Sequence, residues 1–299
     1  MMNNGVPSFS FVYQPLLIRL KCLEPANLPP FLGSALHGIV GWSLLSNKKV
    51  YQYLFENRRQ TGGFDIANPY IIEPPLYHTV YQVGDELRFQ LILLGDAVKY
   101  TEEVICVMAE TRIFGLGSER KQFELFEILH GQSLYPMWRP GMFEVNPEDI
   151  VKISNEKHYE CTRCSIQLLT PLRIRRNGKL LEELDFPTII RNITRRLMEL
   201  TARYGGVIQL DDIERCLVFA KQVQTTSSNL YLKEMQRYFS RKNGKVDFSG
   251  ILGVMTFEGG LSPFTPLLNA AQVLHIGRNV TFGCGKIEVI YQGCFMKKI

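Results

Sequence analysis

The order of strand-like and helix-like segments most constrains the fold, because the same order occurs twice. In the first half, alternating or β-branched segments predict strands at residues 9–24, 85–95 and 121–129, and residues 69–76 are a short extended segment bounded by prolines. Apolar residues at helical spacing predict helices at residues 28–45 and 96–114, the second with Asp96 as N-cap. Strand, helix, two strands, helix and strand is the βαββαβ order of a ferredoxin-like domain.

The second half repeats this order. We predict a strand at 158–174, a helix at 185–205, a long hairpin at 215–259 that turns at "RKNGK", a helix at 263–277 and a strand at 285–291. The intervening residues 131–157, rich in proline and mixed charge, are interpreted as a linker. The predicted fold class is α+β, with two tandem ferredoxin-like (RRM-like) domains at residues 1–150 and 151–299.

A short motif links the two halves. Phe114-Gly115-Leu116-Gly117 and Phe282-Gly283-Cys284-Gly285 both lie between the last predicted helix and the last predicted strand of their half. Matching motifs at matching positions favour a duplicated fold.

Composition is that of a soluble globular protein. The 299 residues are 45% hydrophobic and 21% charged, and the formal charge of +5 permits an anionic partner without requiring one. No run of 18 apolar residues suggests a membrane span. Seven scattered cysteines without a secretory leader favour free thiols in a reducing cytoplasm.

One cysteine pair, Cys161 and Cys164, has the CxxC spacing of a metal site. Zinc normally requires a second pair or two suitably placed histidines, and the sequence offers neither. We therefore expect no metal site and no cofactor.

The segment "HIGRNVTFGCGKIEV" concentrates three glycines, Gly277, Gly283 and Gly285, with Arg278 and Lys286. A Walker loop would open a helix, and a Rossmann loop would run from strand to helix, so the helix-to-strand context excludes both. Two interpretations remain. Backbone N–H groups and the two cations contact an RNA backbone, or the segment is a tight turn.

With its flanking helix, this segment ("PLLNAAQVLHIGRNVTFGCGKIEV") resembles the C-terminal signature of CRISPR-associated repeat-processing endoribonucleases, members of the RAMP superfamily. "LPPFLGSALHGIVGWSLL", "GDELRFQLILLG", "FGLGSERKQFELFEI" and "LLTPLRIRRNGKL" with the helix after it resemble successive segments of that family, in the right order.

The resemblance implies CRISPR precursor RNA as partner and one cut per repeat, without a metal. The ribose 2′-OH would attack the adjacent phosphate, which leaves a 2′,3′-cyclic phosphate and a 5′-OH. It also implies a catalytic histidine on or beside the first helix, where His37 lies at the edge of the buried stripe. Lys48 and Tyr51 are candidate helpers.

Candidate RNA-binding residues are the glycine segment, His275 just before it, and two clusters of cations. The clusters are Arg191 with Arg195 on one predicted helix, and Arg120 with Lys121 beside the first glycine motif. Other CRISPR effector subunits and a second copy of the chain are further candidate partners.

Two alternatives stay open at this point. The chain could be a non-catalytic RAMP subunit that binds the processed CRISPR RNA in an effector complex. It could also be an unrelated tandem ferredoxin-like protein that binds a small anion or another protein.

Overall fold

The computed structural model describes residues 6–56, 67–76, 78–155, 159–239, 244–292 and 295–296. The chain forms two compact units. The N-terminal unit is Val12–Lys152 with Arg203–Gly205, and the C-terminal unit is Met1–Phe11 with Ile153–Ala202 and Gly206–Ile299. The units do not divide at a single point near residue 150, because Met1–Phe11 belongs to the C-terminal unit and Arg203–Gly205 to the N-terminal unit.

The strands and helices of this part and of the C-terminal part below are those of the described residues. The N-terminal part contains ten such strands: β1 (Phe9–Cys22), β2 (Ala26–Asn27), β3 (Tyr70–Glu73), β4 (Val80–Tyr81), β5 (Glu86–Leu94), β6 (Ile113–Leu116), β7 (Lys121–His130), β8 (Pro136–Arg139), β9 (Met142–Phe143) and β10 (Val151–Ser154). Its helices are α1 (Gly33–Ser43), α2 (Lys48–Tyr51) and α3 (Thr101–Thr111). A π-helical turn, Gln52–Glu56, follows α2.

The main sheet of this unit has the order β3–β5–β1–β7, with antiparallel neighbours. Alternation explains its buried face, since Leu16, Ile18 and Leu20 of β1 are fully buried at every second position. Helices α1 and α3 supply further core side chains, among them Leu36, Val40, Val104, Ile105 and Met108. Each such side chain stabilises the fold by roughly 1.5–3 kcal/mol through burial.

Two predictions in this unit were wrong. Asp96 does not cap a helix, because a 3₁₀ turn at Gly95–Tyr100 precedes α3 and the helix begins at Thr101. The region 131–157 is not merely a linker, because β8 pairs with β7 through Ile128 and Trp138 and extends the sheet. Prolines at the edge of a sheet are tolerated, so their presence did not exclude strands there.

The C-terminal part contains eleven strands: β11 (Tyr159–Glu160), β12 (Arg163–Leu172), β13 (Arg175–Arg176), β14 (Lys179–Leu180), β15 (Val207–Ile208), β16 (Gln224–Lys233), β17 (Gln236–Phe239), β18 (Gly244–Asp247), β19 (Gly250–Glu258), β20 (Ile287–Gln292) and β21 (Phe295–Met296). Its helices are α4 (Phe186–Tyr204), α5 (Ile213–Ala220) and α6 (Thr265–Leu274).

Helix α4 has the predicted ends. The Asp185 carboxylate accepts a hydrogen bond from the Thr188 N–H at 2.8 Å, and Gly205 follows the helix with φ +80°. The sheet order is β16–β19–β12–β20, and α4 and α6 connect its strands as α1 and α3 do in the other unit. Both units therefore have the ferredoxin-like order, and the predicted tandem α+β fold is confirmed.

The hairpin predicted at 215–259 is correct only from residue 224 onward. Residues before it form α5, in which Cys216 and Ala220 are both buried at the helical i, i+4 spacing. Strands β16 to β19 form the hairpin, interrupted near Lys233. Of the predicted "RKNGK" turn at residues 241–245, residues 241–243 lie outside the described residues.

The two Phe-Gly-x-Gly motifs differ in structure. The first lies mostly in β6, which forms a hairpin with β7. The second follows a 3₁₀ turn at Val280–Phe282 and contains left-handed glycines. Among the helices that the structure describes, none combines the length and apolar character needed to cross a membrane.

Candidate functional site

His37 lies on α1 as a half-buried side chain. Its Nε2 atom is 3.0 Å from the Tyr70 hydroxyl, and its ring centroid is 5.0 Å from that of Phe55. Either His37 or Tyr70 can donate this hydrogen bond, depending on the imidazole tautomer. The imidazole is therefore fixed by a polar contact at one atom and by an aromatic contact along its ring.

The aromatic wall beside His37 depends on Gly41, one helical turn further on. A Cβ atom at Gly41 would lie 2.7 Å from the Phe55 ring, so only glycine lets Phe55 pack this closely against α1. Phe55 in turn stacks on Tyr70, whose side chain is 1% exposed, with 4.9 Å between ring centroids. The wall is thus rigid core structure.

Tyr70 is a site residue that the sequence analysis missed. It lies on β3, opposite Leu93 of β5, in a segment that was predicted only as extended. Tyrosine is common in strands, so nothing in the local sequence marked its hydroxyl as the partner of a residue 33 positions earlier.

Tyr51 lies next to this group but contacts it through Phe55. The Tyr51 and Phe55 rings stack with centroids 5.5 Å apart and planes 6° apart. Tyr51 therefore reaches His37 through one intervening ring.

In the sequence analysis, Lys48 is a candidate to assist His37. It is exposed and lines a groove of about 860 Å³ together with Lys99, Glu102 and Glu103, a lining that does not include His37. The Asn47 side chain caps the short α2 by accepting a hydrogen bond from the Val50 N–H at 3.3 Å, so the helix begins at Lys48.

The glycine loop, which we define as residues 277–286, uses its backbone donors within the protein. The N–H of Gly283 donates to the Val280 carbonyl at 2.8 Å, and that of Gly285 donates to the Pro171 carbonyl at 3.1 Å. The N–H of Lys286 donates to the Thr170 hydroxyl at 2.9 Å. The sequence analysis expected these groups to face an anion. These three already have acceptors, so that part of the expectation was wrong.

The space that side chains would occupy at two glycines of this loop is filled by other backbone atoms of the protein. A Cβ at Gly285 would lie 1.8 Å from the Ile276 carbonyl oxygen, and one at Gly277 would lie 2.7 Å from that of Arg173. Both glycines have positive φ values, +73° and +83°. They are needed because the loop crosses its own backbone and β12 at close range.

His275 was expected to contact RNA, but its side chain is completely buried. Its Nδ1 atom lies 3.1 Å from the Cys284 carbonyl oxygen, on the inner side of the glycine loop. The His275 side chain therefore has no exposed surface that RNA could contact. Its contact with the Cys284 carbonyl stabilises the glycine loop instead. Burial raises the pKa of the neighbouring Cys284 thiol to about 12.

Arg278 presents an exposed guanidinium at the tip of the glycine loop, while its N–H donates to the Arg173 carbonyl at 2.9 Å. The Arg173 side chain is buried and donates to the Ser249 carbonyl and, at 3.1 Å, to the Asp247 carboxylate. Arg173 therefore joins the glycine loop to the base of the β17–β18 hairpin.

The remaining predicted cations are all at least partly exposed, but two of them have acidic partners. Arg195 pairs with Glu199 at 2.7 Å, and Lys121 with Glu119 at 3.3 Å. Arg191 and Arg120 are exposed. The CxxC pair consists of two buried thiols that form no disulfide, at Cys161 and Cys164.

Residues 166–287 match the family model of the CRISPR-associated endoribonuclease Cas6, and residues 11–150 match a model described as an N-terminal domain. A solved Cas6 product complex has the same fold over 93% of this chain and 100% of its own, with 16% identity and a TM-score of 0.64. The chain resembles the CRISPR repeat-processing Cas6 family, in sequence over residues 166–287 and in fold over nearly its whole length. The resemblance found in the sequence is confirmed.

Other solved structures show the same Cas6 fold. Thermus thermophilus Cas6 matches over 94% of this chain and 99% of its own, with 13% identity and a TM-score of 0.57. A partial Cas6-RT-Cas1–Cas2 complex matches 97% of this chain with 13% identity and a TM-score of 0.62. The chain spans about half of that longer relative, 47%. No curated protein sequence matched the chain.

Proposed function

We propose that this chain is a metal-independent endoribonuclease that cuts CRISPR precursor RNA within each repeat, with His37 as the proton-transfer residue. The observation that carries the proposal is the setting of His37 in a chain that has the Cas6 fold and matches the Cas6 family model over residues 166–287. Its imidazole is held by Tyr70 and Phe55, yet it stays half-exposed on the surface of α1.

The proposed reaction is an internal transesterification. The 2′-oxygen forms a bond to the adjacent phosphorus as the bond from phosphorus to the 5′-oxygen breaks. One proton leaves the 2′-OH and one is delivered to the 5′-oxygen, which gives a 2′,3′-cyclic phosphate and a 5′-OH. Histidine suits either transfer because its ordinary pKa lies near neutrality.

The pentacoordinate phosphorane carries extra negative charge, which a nearby cation stabilises. Lys48 and Lys49 are the exposed cations that follow α1, so we assign them this supporting role. Tyr51 is assigned a packing role against Phe55, in support of the imidazole. Arg278, Arg191, Arg195, Arg120 and Lys121 are proposed to contact the RNA backbone, where cations position the strand.

The partner of this reaction is proposed to be CRISPR repeat RNA. Association with other CRISPR proteins in the cytoplasm is part of the same proposal. Its support is the family match, together with the Cas6 unit contained in the Cas6-RT-Cas1–Cas2 complex.

The test uses an RNA with one repeat from the CRISPR arrays of the source organism, incubated with the protein in EDTA. We expect one cut that leaves a 2′,3′-cyclic phosphate. A 2′-deoxy substitution at the mapped site should abolish cleavage, and His37→Ala should reduce it roughly 10²- to 10⁴-fold.

Each other outcome contradicts a specific part of the proposal. Cleavage of the 2′-deoxy RNA would exclude 2′-OH attack, and full activity of His37→Ala would exclude the assigned residue. A requirement for a divalent metal would exclude the metal-independent route. Tight repeat binding without cleavage would favour the non-catalytic subunit that binds processed RNA.

A further inference from the structure

Trp42 is a large aromatic side chain that α1 leaves in solvent. It is 62% exposed in the last turn of the helix, and Leu45, in the turn that follows, is 53% exposed. The fold gains little from an indole in this position, because most of its apolar surface stays in contact with water.

Helical geometry places Trp42 and His37 at the two borders of one strip of α1. At about 100° per residue, Gly41, Gly38 and Trp42 follow His37 at roughly 40°, 100° and 140° around the axis. Trp42 lies about 7.5 Å from His37 along the axis. Two glycines therefore occupy the strip between the imidazole and the indole.

The two glycines of the strip have opposite surroundings. The Cβ position of Gly41 is filled by the ring of Phe55 at 2.7 Å, whereas nothing lies within 4 Å of the Cβ position of Gly38. The fold itself does not require glycine at position 38. Phe55 therefore covers the strip at Gly41, and the strip is open only at Gly38, which we call the Gly38 shelf.

We propose that Trp42 is a stacking platform for an unpaired nucleobase of the RNA, in the nucleotide next to the phosphate that His37 acts on. The inference rests on the proposed function and adds a binding residue to it. The ribose and phosphate would cross the Gly38 shelf, and the base would stack on the indole.

An RNA base fits this surface better than a protein side chain does, for two reasons. The shelf is continuous with His37, and the exposed Lys48 and Lys49 follow directly along the chain and offer charge to phosphates. Stacking on an aromatic ring tolerates any base, since every base has a π face. Trp42 would thus fix the position of the strand and require an unpaired nucleotide there.

Fluorescence tests the contact without any need for catalysis. The chain has two tryptophans, so Trp138→Phe leaves Trp42 as the only one. Repeat RNA with the 2′-deoxy block should quench the emission of this variant, and His37→Ala in the same background should leave the quenching unchanged. Unchanged emission on saturable RNA binding would overturn the proposal.

A double-mutant cycle identifies the stacked nucleotide. Wild-type and Trp42→Ala proteins are compared on RNAs with one abasic nucleotide at successive positions around the cut. Trp42→Ala should weaken binding of intact RNA roughly 5- to 150-fold, and Trp42→Phe much less. At one position, the abasic RNA should bind equally weakly to both proteins, because the contact is already lost.

Phe143→Ala is the matched control, since Phe143 is an exposed aromatic residue on β9, 46% exposed. It should leave affinity and quenching unchanged. If Trp42→Ala binds every RNA as the wild type does, or if the cycle is additive at all positions, base stacking is refuted and the exposed indole is assigned to a protein contact.

The outcomes also separate this inference from the proposed function. Quenching that depends on Trp42 in a protein that never cleaves would keep the platform and refute the enzyme. Cleavage that depends on His37 but not on Trp42 would keep the enzyme and refute the platform.

Discussion

Gly38 on the α1 surface has surroundings opposite to those of Gly277 and Gly285 in the glycine loop. In the loop, an added Cβ at Gly285 would meet the Ile276 carbonyl oxygen at 1.8 Å, so the empty space is already filled by the protein. At Gly38 on α1 no atom lies within 4 Å of that position. Glycine spacing alone does not distinguish the two cases, whereas the surroundings of the missing side chain do.

The largest effects are expected from two substitutions that we compare, His37→Ala on the α1 surface and Arg278→Ala in the glycine loop. His37→Ala should lower the single-turnover cleavage rate at saturating protein by roughly 10²- to 10⁴-fold, with RNA affinity nearly unchanged. Arg278→Ala should instead weaken RNA binding several-fold and leave the saturated rate intact, because a backbone cation positions the strand without taking part in proton transfer.

Salt dependence provides the check for Arg278. Loss of one contact to a single-stranded phosphate should reduce the slope of log affinity against log salt by about 0.7. An unchanged slope, or a rate defect that persists at saturation, would remove Arg278 from the binding surface.

The next largest effect is expected on stability. Gly285→Ala should destabilise the protein by about 3 kcal/mol or more, because the new methyl group meets a carbonyl oxygen and the backbone is left-handed. Gly260→Ala is the control in the same unit, where nothing lies within 4 Å of the new atom, and it should be nearly neutral. Denaturant unfolding of the two variants measures the difference, and equal stabilities would contradict the packed loop.

Tyr70→Phe should have a smaller effect, a roughly 2- to 10-fold loss of cleavage rate, because it removes one hydrogen bond to His37 and keeps the ring packed against Phe55. The pH–rate profile distinguishes positioning from general damage. We expect the limb that reports the histidine to move, with RNA affinity and unfolding unchanged. A profile of unaltered shape would show that Tyr70 acts only through packing.

The smallest predicted effect concerns the contact between Arg173 and Asp247 at the base of the β17–β18 hairpin. Burial works against ionisation of Asp247, but hydrogen bonds from Ser249 and Arg173 outweigh it and lower the pKa of this carboxyl to about 2. The folded-state pKa lies below the unfolded value of about 3.9, so this stabilisation is complete above pH ~4 and lost as the pH falls towards 2.

Because the Asp247 side chain is 51% exposed, solvent screening should keep its contribution below about 1 kcal/mol. The stability difference between wild type and Asp247→Asn should therefore be small at pH 7 and should vanish near pH 2. A difference that grows on acidification would contradict the assigned hydrogen bonds.

Much of the fold could be predicted because the apolar periodicity of most segments matches the structure they adopt. The exceptions have local causes. The continuous apolar run Cys216–Ala220 suits a strand as well as a helix, and only the burial of Cys216 and Ala220 at i, i+4 spacing reveals the helix. The β7–β8 pairing depends on register across a turn, which local composition does not encode.

The candidate site was less predictable, because it depends on distant contacts. His37 came from the family resemblance, but its partner Tyr70 is a strand residue that only tertiary packing brings to the imidazole. His275 directly follows the last turn of α6, and its complete burial follows from how the glycine loop folds back over it. Neither the contact between Tyr70 and His37 nor the burial of His275 could be predicted from spacing along the chain.

The open side of Gly38 has a consequence for how this protein could be improved or impaired. Alanine stabilises a helix interior by roughly 0.5–1 kcal/mol relative to glycine, and nothing in the fold obstructs it at this position. A screen for thermostability alone would therefore select Gly38→Ala, while a screen for RNA processing would reject it. Position 38 is where the two kinds of selection should disagree.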